Sequence, residues 1–308
     1  MKLRLITFCL SLSISVLALA GCSSGDDNSP GNGSSSGSGP GVVPENSDNG
    51  KNNNSNPDNP NPESSQPGNT TPTSWTLIFE DNFDGTSSEP NPEYWSLAKR
   101  GTDTWNRYMS ESYDQAYQKD GYLYLFGMEN DGEYLTGGIE TIDKFDFTYG
   151  QVKCRARFLR QPQGNHTGIW MMPSPPTQKW PKSGEIDIME HLDDQSKVYS
   201  TVHFWNSSTE EDDKSDTVSS IDNEDFNVYG VIWDEKSVSF TLNGETVFSY
   251  SNDDPANEEF SYQYPFTKPF YLILSQSLGG EGTWEGPIDN KELPAIFQID
   301  WIKVWQKE

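Results

Sequence analysis

The amino-acid sequence predicts an all-β fold, a sandwich or barrel, from about residue 74 onward. Three observations predict it. Short runs rich in β-branched and aromatic residues recur with turn residues between them, several of these runs alternate strictly between apolar and polar positions, and no long segment shows a helical period.

Taken in order, the runs are Trp75–Phe79, Tyr122–Phe126, Gly150–Phe158, Ile169–Met172, Glu185–Glu190, Tyr199–Phe204, Val228–Trp233, Val238–Leu242, Thr246–Tyr250, Phe270–Ser275 and Ile299–Trp305. Gln151-Val152-Lys153-Cys154-Arg155-Ala156-Arg157-Phe158 is the cleanest: even positions are apolar and odd ones polar, as on a half-buried strand. Cys154 falls on the apolar face and reads as a core thiol. Asn243-Gly244, between two runs, is a two-residue hairpin signal.

Ahead of this part the composition is different. Lys2 and Arg4 precede the apolar run Leu5 to Ala20, too short to span a bilayer and suited to a secretory signal sequence. It ends in Leu19-Ala20-Gly21-Cys22, which resembles a bacterial lipobox; the resemblance implies that residues 1–21 are a leader and that Cys22 carries lipid as the mature N-terminus. Residues 22–73 are then a Ser, Gly, Asn and Pro-rich tether, with too little apolar surface to offset ordering entropy. Asp26-Asp27 resembles the acidic signal that sends some lipoproteins of the Bacteroidetes to the cell surface, so an outer-membrane, outward-facing location is expected. With Cys9 in the leader and Cys22 acylated, Cys154 has no disulfide partner.

The formal net charge of −26 disfavours nucleic acid, whose phosphates need a basic patch, and electrostatic docking on anionic lipid. Membrane contact is therefore expected through the N-terminal lipid alone, and a monomer is expected.

The segment Gly184-Glu185-Ile186-Asp187-Ile188-Met189-Glu190-His191 carries the chemistry. Glu185 and Asp187 share one face of a strand while Ile186 and Ile188 share the other. Strict alternation would put Glu190 with the isoleucines; a β-bulge near Met189 returns it to the face of the other two acids. Crowded carboxylates raise at least one pKa. One carboxylate as nucleophile and one carboxylic acid as proton donor, about 5–5.5 Å apart, is the requirement of retaining glycoside hydrolysis. The same spacing also fits a solvated acidic face or a cation site.

Glu-Ile-Asp-Ile-Met-Glu resembles the active-site signature of glycoside hydrolase family 16 in its bulged form. The resemblance extends to the opening strand with Phe79-Glu80-Asp81-Asn82-Phe83-Asp84-Gly85, to Gly168-Ile169-Trp170-Met171-Met172-Pro173, to Thr201-Val202-His203, and to the closing run Phe297 to Trp305. It covers essentially 74–308. It implies a β-jelly-roll of two curved antiparallel sheets with a substrate cleft on the concave face. By the same carry-over Glu185 is the nucleophile, Glu190 the acid/base and Asp187 the assisting acid, with no cofactor in catalysis. Trp170 matches the family tryptophan beside the cleaved sugar, and His203 a family histidine. Asp300, with backbone oxygens near Glu80 and Gly121, matches a structural calcium position of relatives.

The partner is then a glycan chain. Sugar rings stack apolar faces on indole, which makes Trp105, Trp180 and Trp284 in loop-like stretches candidate subsite walls. The stretch around Trp105-Asn106-Arg107-Tyr108-Met109, and Leu274-Ser275-Gln276-Ser277-Leu278-Gly279-Gly280, depart from the pattern of laminarin-cleaving relatives, so Arg107 and Gln276 are read as sugar-hydroxyl donors. The departures favour an endo-acting enzyme on galactose-containing host chains such as mucin O-glycans and poly-N-acetyllactosamine. The alternatives are a β-1,3- or mixed-linkage glucanase, a sulfated-galactan hydrolase, and a non-catalytic glycan binder.

Overall fold

The computed structural model describes residues 74–175, 179–206, 209–223, 225–253 and 262–308. Cys22, the leader and the tether lie outside the described residues. In chain order the strands are β1 (Trp75–Asp81), β2 (Ser96–Leu97), β3 (Ala116–Lys119), β4 (Tyr122–Asn130), β5 (Glu133–Thr136), β6 (Gly138–Glu140), β7 (Asp146–Phe147), β8 (Gly150–Arg160) and β9 (Asn165–Pro173). They continue as β10 (Glu185–Leu192), β11 (Lys197–Asn206), β12 (Glu211–Ser220), β13 (Asn227–Trp233), β14 (Ser237–Leu242), β15 (Glu245–Ser251), β16 (Phe270–Leu278) and β17 (Ala295–Lys307). One 3₁₀ turn, Tyr113–Gln115, is the sole helical element among the described residues.

Two antiparallel sheets result. The first runs β15-β14-β13-β8-β17-β4-β3, with β1 on β17 and β5 on β4; the second runs β12-β11-β10-β9-β16-β6-β2, with β7 on β16. Period-two alternation puts Leu123 and Leu125 of β4, Val152, Cys154 and Ala156 of β8, and Tyr229, Val231 and Trp233 of β13 into one buried cluster. Ile169 and Met171 of β9, Ile186, Ile188 and Met189 of β10, and Leu272 and Leu274 of β16 enter it from the second sheet. Each such aliphatic side chain stabilises by about 1.5–3 kcal/mol on full burial, so the sandwich interior holds the sheets face to face. The buried indoles of Trp95 and Trp233 both have acceptors: the Trp95 N–H donates to Asp81 Oδ2 at 2.8 Å and that of Trp233 to the Phe266 carbonyl at 2.8 Å.

The alternation expected over 151–158 is present, with the even residues buried. Asn243 (φ 52°) and Gly244 (φ 92°) form the expected tight hairpin, with Leu242 opposite Glu245. β10 carries the bulge. Asp187 pairs with Trp170 and Met189 with Ile169 on β9, so Ile188 has no opposite residue there; on β11 the register also slips between Asp187 and Glu190. Ile188 and Met189 both turn into the core, and Glu190 returns to the outer face of the sheet.

Candidate active site

The outer face of the second sheet forms a cleft of about 410 Å³, lined by Thr104, Trp105, His166, Gly168, Trp170, Trp180, Glu185, Asp187, Glu190, Trp284 and Glu285. Its floor is set by strand register. Glu185 lies opposite His203, Asp187 opposite Thr201 and Glu190 opposite Tyr199 on β11, while Asp187 and Glu190 lie opposite Trp170 and Gly168 on β9. Directly opposed residues in antiparallel strands share a face, so the three acids, His203 and Trp170 are brought together.

The Trp180 indole N–H donates to Glu185 Oε2 at 2.5 Å. His203 Nε2 lies 3.3 Å from Asp187 Oδ2, near enough for charge pairing but without hydrogen-bond alignment. His166 Nε2 lies 3.2 Å from Glu190 Oε1, and the Thr201 hydroxyl donates to Glu190 Oε2 at 3.3 Å. The electrostatics follow. Burial, and then the neighbouring Asp187 charge, push Glu185 well above the ordinary carboxylate range. Burial and the Glu190 charge do the same to Asp187, with a hydrogen bond to Glu185 working against the rise. Glu190 differs: burial pushes it up, but hydrogen bonding and charge from His166, with help from His203 and Thr201, outweigh burial and hold it below its usual value. Burial and mutual charge thus favour a proton on the Glu185–Asp187 pair, while His166 favours the ionised form of Glu190. Glu185, Asp187 and His203 also present ligand atoms within 4.8 Å of one another, a spacing a cation could use. The Trp180 indole already engages Glu185 Oε2.

Among the aromatic candidates, Trp105, Trp170, Trp180 and Trp284 all line the cleft. Trp170 is held from two sides: its indole N–H donates to Ser275 Oγ at 3.1 Å, and its ring meets Trp105 edge-on at 4.8 Å between centroids. Gly168 makes room for it, since a Cβ there would stand 3.0 Å from Trp170 Cδ1. Trp180 and Trp284 are 45 % and 56 % exposed, open for a sugar face to stack on.

Gln276 is corrected. It is fully buried, accepts from the Thr167 hydroxyl at 3.0 Å, and donates to Asn165 Oδ1 and to the carbonyls of His166 and Ser277. On β16 it shares parity with Leu272 and Leu274, which face the core, whereas Ser275 and Ser277 face the cleft side. Arg107 does not line the cleft with the carboxylates. It packs beside Gly280 and on the Tyr108 ring, with Nε and Nη2 buried and without a hydrogen-bond partner.

At the residues matched to a calcium site, the Asp300 carboxylate is paired with Arg155, and the backbone oxygens expected from Glu80 belong to β1. Gly121 occupies a tight turn after Asp120.

Four cleft residues were not among the sequence candidates: Thr104, Gly168, His166 and Glu285. His166 shares parity with Gly168 and Trp170, and becomes visible once the strand is begun at Asn165 instead of Ile169. Glu285 follows Trp284 in a loop, where no periodicity announces it.

A two-sheet sandwich carrying a carboxylate trio in an indole-walled cleft defines a glycoside hydrolase scaffold. The chain belongs to glycosyl hydrolases family 16, whose sequence profile matches residues 104–303. It is 37 % identical over 245 residues to a keratan-sulfate endo-1,4-beta-galactosidase of Sphingobacterium multivorum, covering 76 % of this chain and 56 % of that protein. It thus spans little more than half the length of that relative. It is 28 % identical over 246 residues to a beta-glucanase of Rhodothermus marinus, covering 75 % and 85 % of the two chains. Among solved structures, one from work on endo-acting O-glycanases with which human gut microbiota initiate mucin breakdown superposes with TM-score 0.68 at 29 % identity, covering 74 % of this chain and 98 % of that one. The laminarinase of Rhodothermus marinus superposes with TM-score 0.67 at 26 % identity, covering 77 % and 100 %. The sandwich is the jelly-roll that these neighbours share.

Proposed function

We propose that the protein is a retaining, endo-acting β-glycosidase that cuts galactose-containing host glycans, with mucin O-glycans and poly-N-acetyllactosamine as the substrate class. The observation that carries the chemistry is the bulge that sets Glu190 on the face of Glu185 and Asp187. Glu185 attacks the anomeric carbon as its carboxylate while Glu190 gives a proton to the departing glycosidic oxygen, so a glycosyl ester forms as the bond to the leaving sugar breaks. Water then enters, Glu190 takes its proton, and the ester is released with net retention. Asp187 keeps the proton it shares with Glu185, leaving the nucleophile ionised. A sugar seated over Glu190 excludes water and opposes its ionised form, which moves it toward the protonated state the first step needs.

The substrate class is supported by the keratan-sulfate-cleaving relative and the O-glycanase structure. Neither sequence departure adds to it: Gln276 is buried in the sandwich and Arg107 does not line the cleft. A β-glucanase is the second reading, favoured by the glucanase relative and the laminarinase superposition. Lipid attachment at Cys22, an outward-facing outer-membrane location and a monomeric state are part of the proposal, and rest on the sequence of the first 73 residues and on the acidic charge.

The test is product analysis by mass spectrometry of the full chain on poly-N-acetyllactosamine, mucin O-glycans, laminarin and mixed-linkage glucan, with Glu185→Gln as the blank. Oligosaccharides from the galactosyl substrates are expected, with the β-anomer as first product by NMR. Products from the glucans alone would establish the second reading, and an α-anomer would overturn retention.

A further inference from the structure

Four carboxylates line the cleft, and the mechanism uses three. The fourth, Glu285, is 7 % exposed, and its Oε2 is buried with no hydrogen-bond partner among the described residues. A buried carboxylate oxygen left unpaired is costly in a folded protein. The loop that carries it is nevertheless built tightly. Gly279 N–H donates to the Gly164 carbonyl at 2.8 Å, Gly280 N–H to the Gly286 carbonyl at 2.8 Å, and Gly286 N–H to the Thr283 carbonyl at 3.1 Å. A Cβ on Gly279 would fall 2.5 Å from Glu285 Cβ, so the loop closes directly on this residue. Its neighbour Trp284 is fixed against His166 and Tyr199, with centroids at 5.6 and 5.5 Å, on the Glu190 side of the cleft.

We propose that Glu285 is a substrate-recognition residue, its carboxylate accepting hydrogen bonds from the hydroxyl or acetamido N–H groups of an uncharged sugar that stacks on Trp284. Carboxylate oxygens accept hydrogen bonds, so the group they take must be a donor. A sulfate ester at that position would meet like charge and be refused. Among glycan substrates this deepens the reading above and rests on it for the choice of sugar.

The experiment is steady-state kinetics of Glu285→Gln and Glu285→Ala in the full chain on an unsulfated N-acetyllactosamine oligosaccharide and its 6-O-sulfated counterpart, with thermal melting of each variant. Loss of a charge-assisted hydrogen bond is expected to raise KM for the unsulfated oligosaccharide about ten- to a hundredfold, with kcat changed less than about threefold. The preference for unsulfated over sulfated substrate should narrow in Glu285→Gln. Tm of both variants is expected to stay within about 2 °C of the unaltered chain. A residue with a merely structural role would lower Tm and kcat together, and that outcome, or an unchanged KM, overturns the proposal. If the unaltered enzyme cuts no N-acetyllactosamine chain, the substrate reading fails on its own. The same variants on laminarin oligosaccharides then decide Glu285 separately, by the same KM and Tm criteria.

Discussion

His166 Nε2 stands 3.2 Å from Glu190 Oε1, and its other ring nitrogen stands 3.1 Å from Ser277 Oγ, so a β9 histidine anchored on β16 touches the proposed proton donor on β10. Glu190 is the carboxylate of the three held below its ordinary value, and His166 is the main cause opposing burial. The acid must be protonated to act, so its pKa sets the fraction of enzyme ready for the first step at a given pH. His166→Ala removes the stabiliser of the ionised form, and the limb of the kcat/KM profile that Glu190 sets is expected to move to higher pH. A pH–rate profile that merely drops in height would show His166 to be a packing residue.

Asp187 and Glu185 behave oppositely. Both are raised, first by burial. A carboxyl raised on folding contributes stability fully below its unfolded value and loses it as pH rises through the folded value. At neutral pH the protein therefore bears that loss, and Asp187→Asn is expected to melt higher than the unaltered chain near pH 7 but equally near about pH 4. Activity should fall about a hundredfold or more, since the nucleophile loses its proton-sharing partner.

Glu140 extends the same logic along the sheet. The register runs Asp187–Trp170–Ile273–Glu140 across β10, β9, β16 and β6, about 14 Å at ~4.8 Å per strand. Burial lifts Glu140 from 4.5 to about 7, with Lys99 opposing and Asp143 adding. Stability it contributes below the unfolded value is lost as pH rises toward about 7. Calorimetric Tm should decline over that window, and decline less in Glu140→Gln; equal slopes would show that Glu140 does not titrate there.

Gly168→Ala tests the seat of Trp170. The added Cβ would lie 3.0 Å from the indole and 3.2 Å from Ser275 Oγ, displacing the ring from its hydrogen bond. A shift near 1 Å in a substrate-positioning group can cost up to about a hundredfold in rate, so kcat/KM should fall by about ten- to a hundredfold. Near-normal kinetics would mean that the ring position is not critical.

How much of this was legible in the sequence depended on whether a face was buried. β8 could be read because Val152, Cys154, Ala156 and Phe158 all enter the core. β10 could be read because two isoleucines fixed one face and the acids the other, and the bulge followed from the need to place Glu190. β12, Glu211–Ser220, gave no signal: it is a polar strand with no buried residue and, among the described residues, pairs only with β11. Gln276 was misassigned although parity with Leu272 and Leu274 spoke for the core, because its departure from the pattern of laminarin-cleaving relatives was read as a sugar-hydroxyl donor. Glu285 is held by backbone hydrogen bonds between glycines, and such bonds leave no residue pattern to read.

The outermost strand of the second sheet carries Glu211, Asp212, Asp213 and Asp216, relieved by Lys214 bound to Asp216 at 2.7 Å. Its free backbone edge would be a template for another strand. Two molecules approaching along it would bring these acids within ~5 Å of each other, inside a screening length of ~8 Å at physiological salt. Like charges then repel before backbone bonds can form. The same unpatterned polarity that hid the strand keeps crowded copies of the enzyme from zipping together through their sheets.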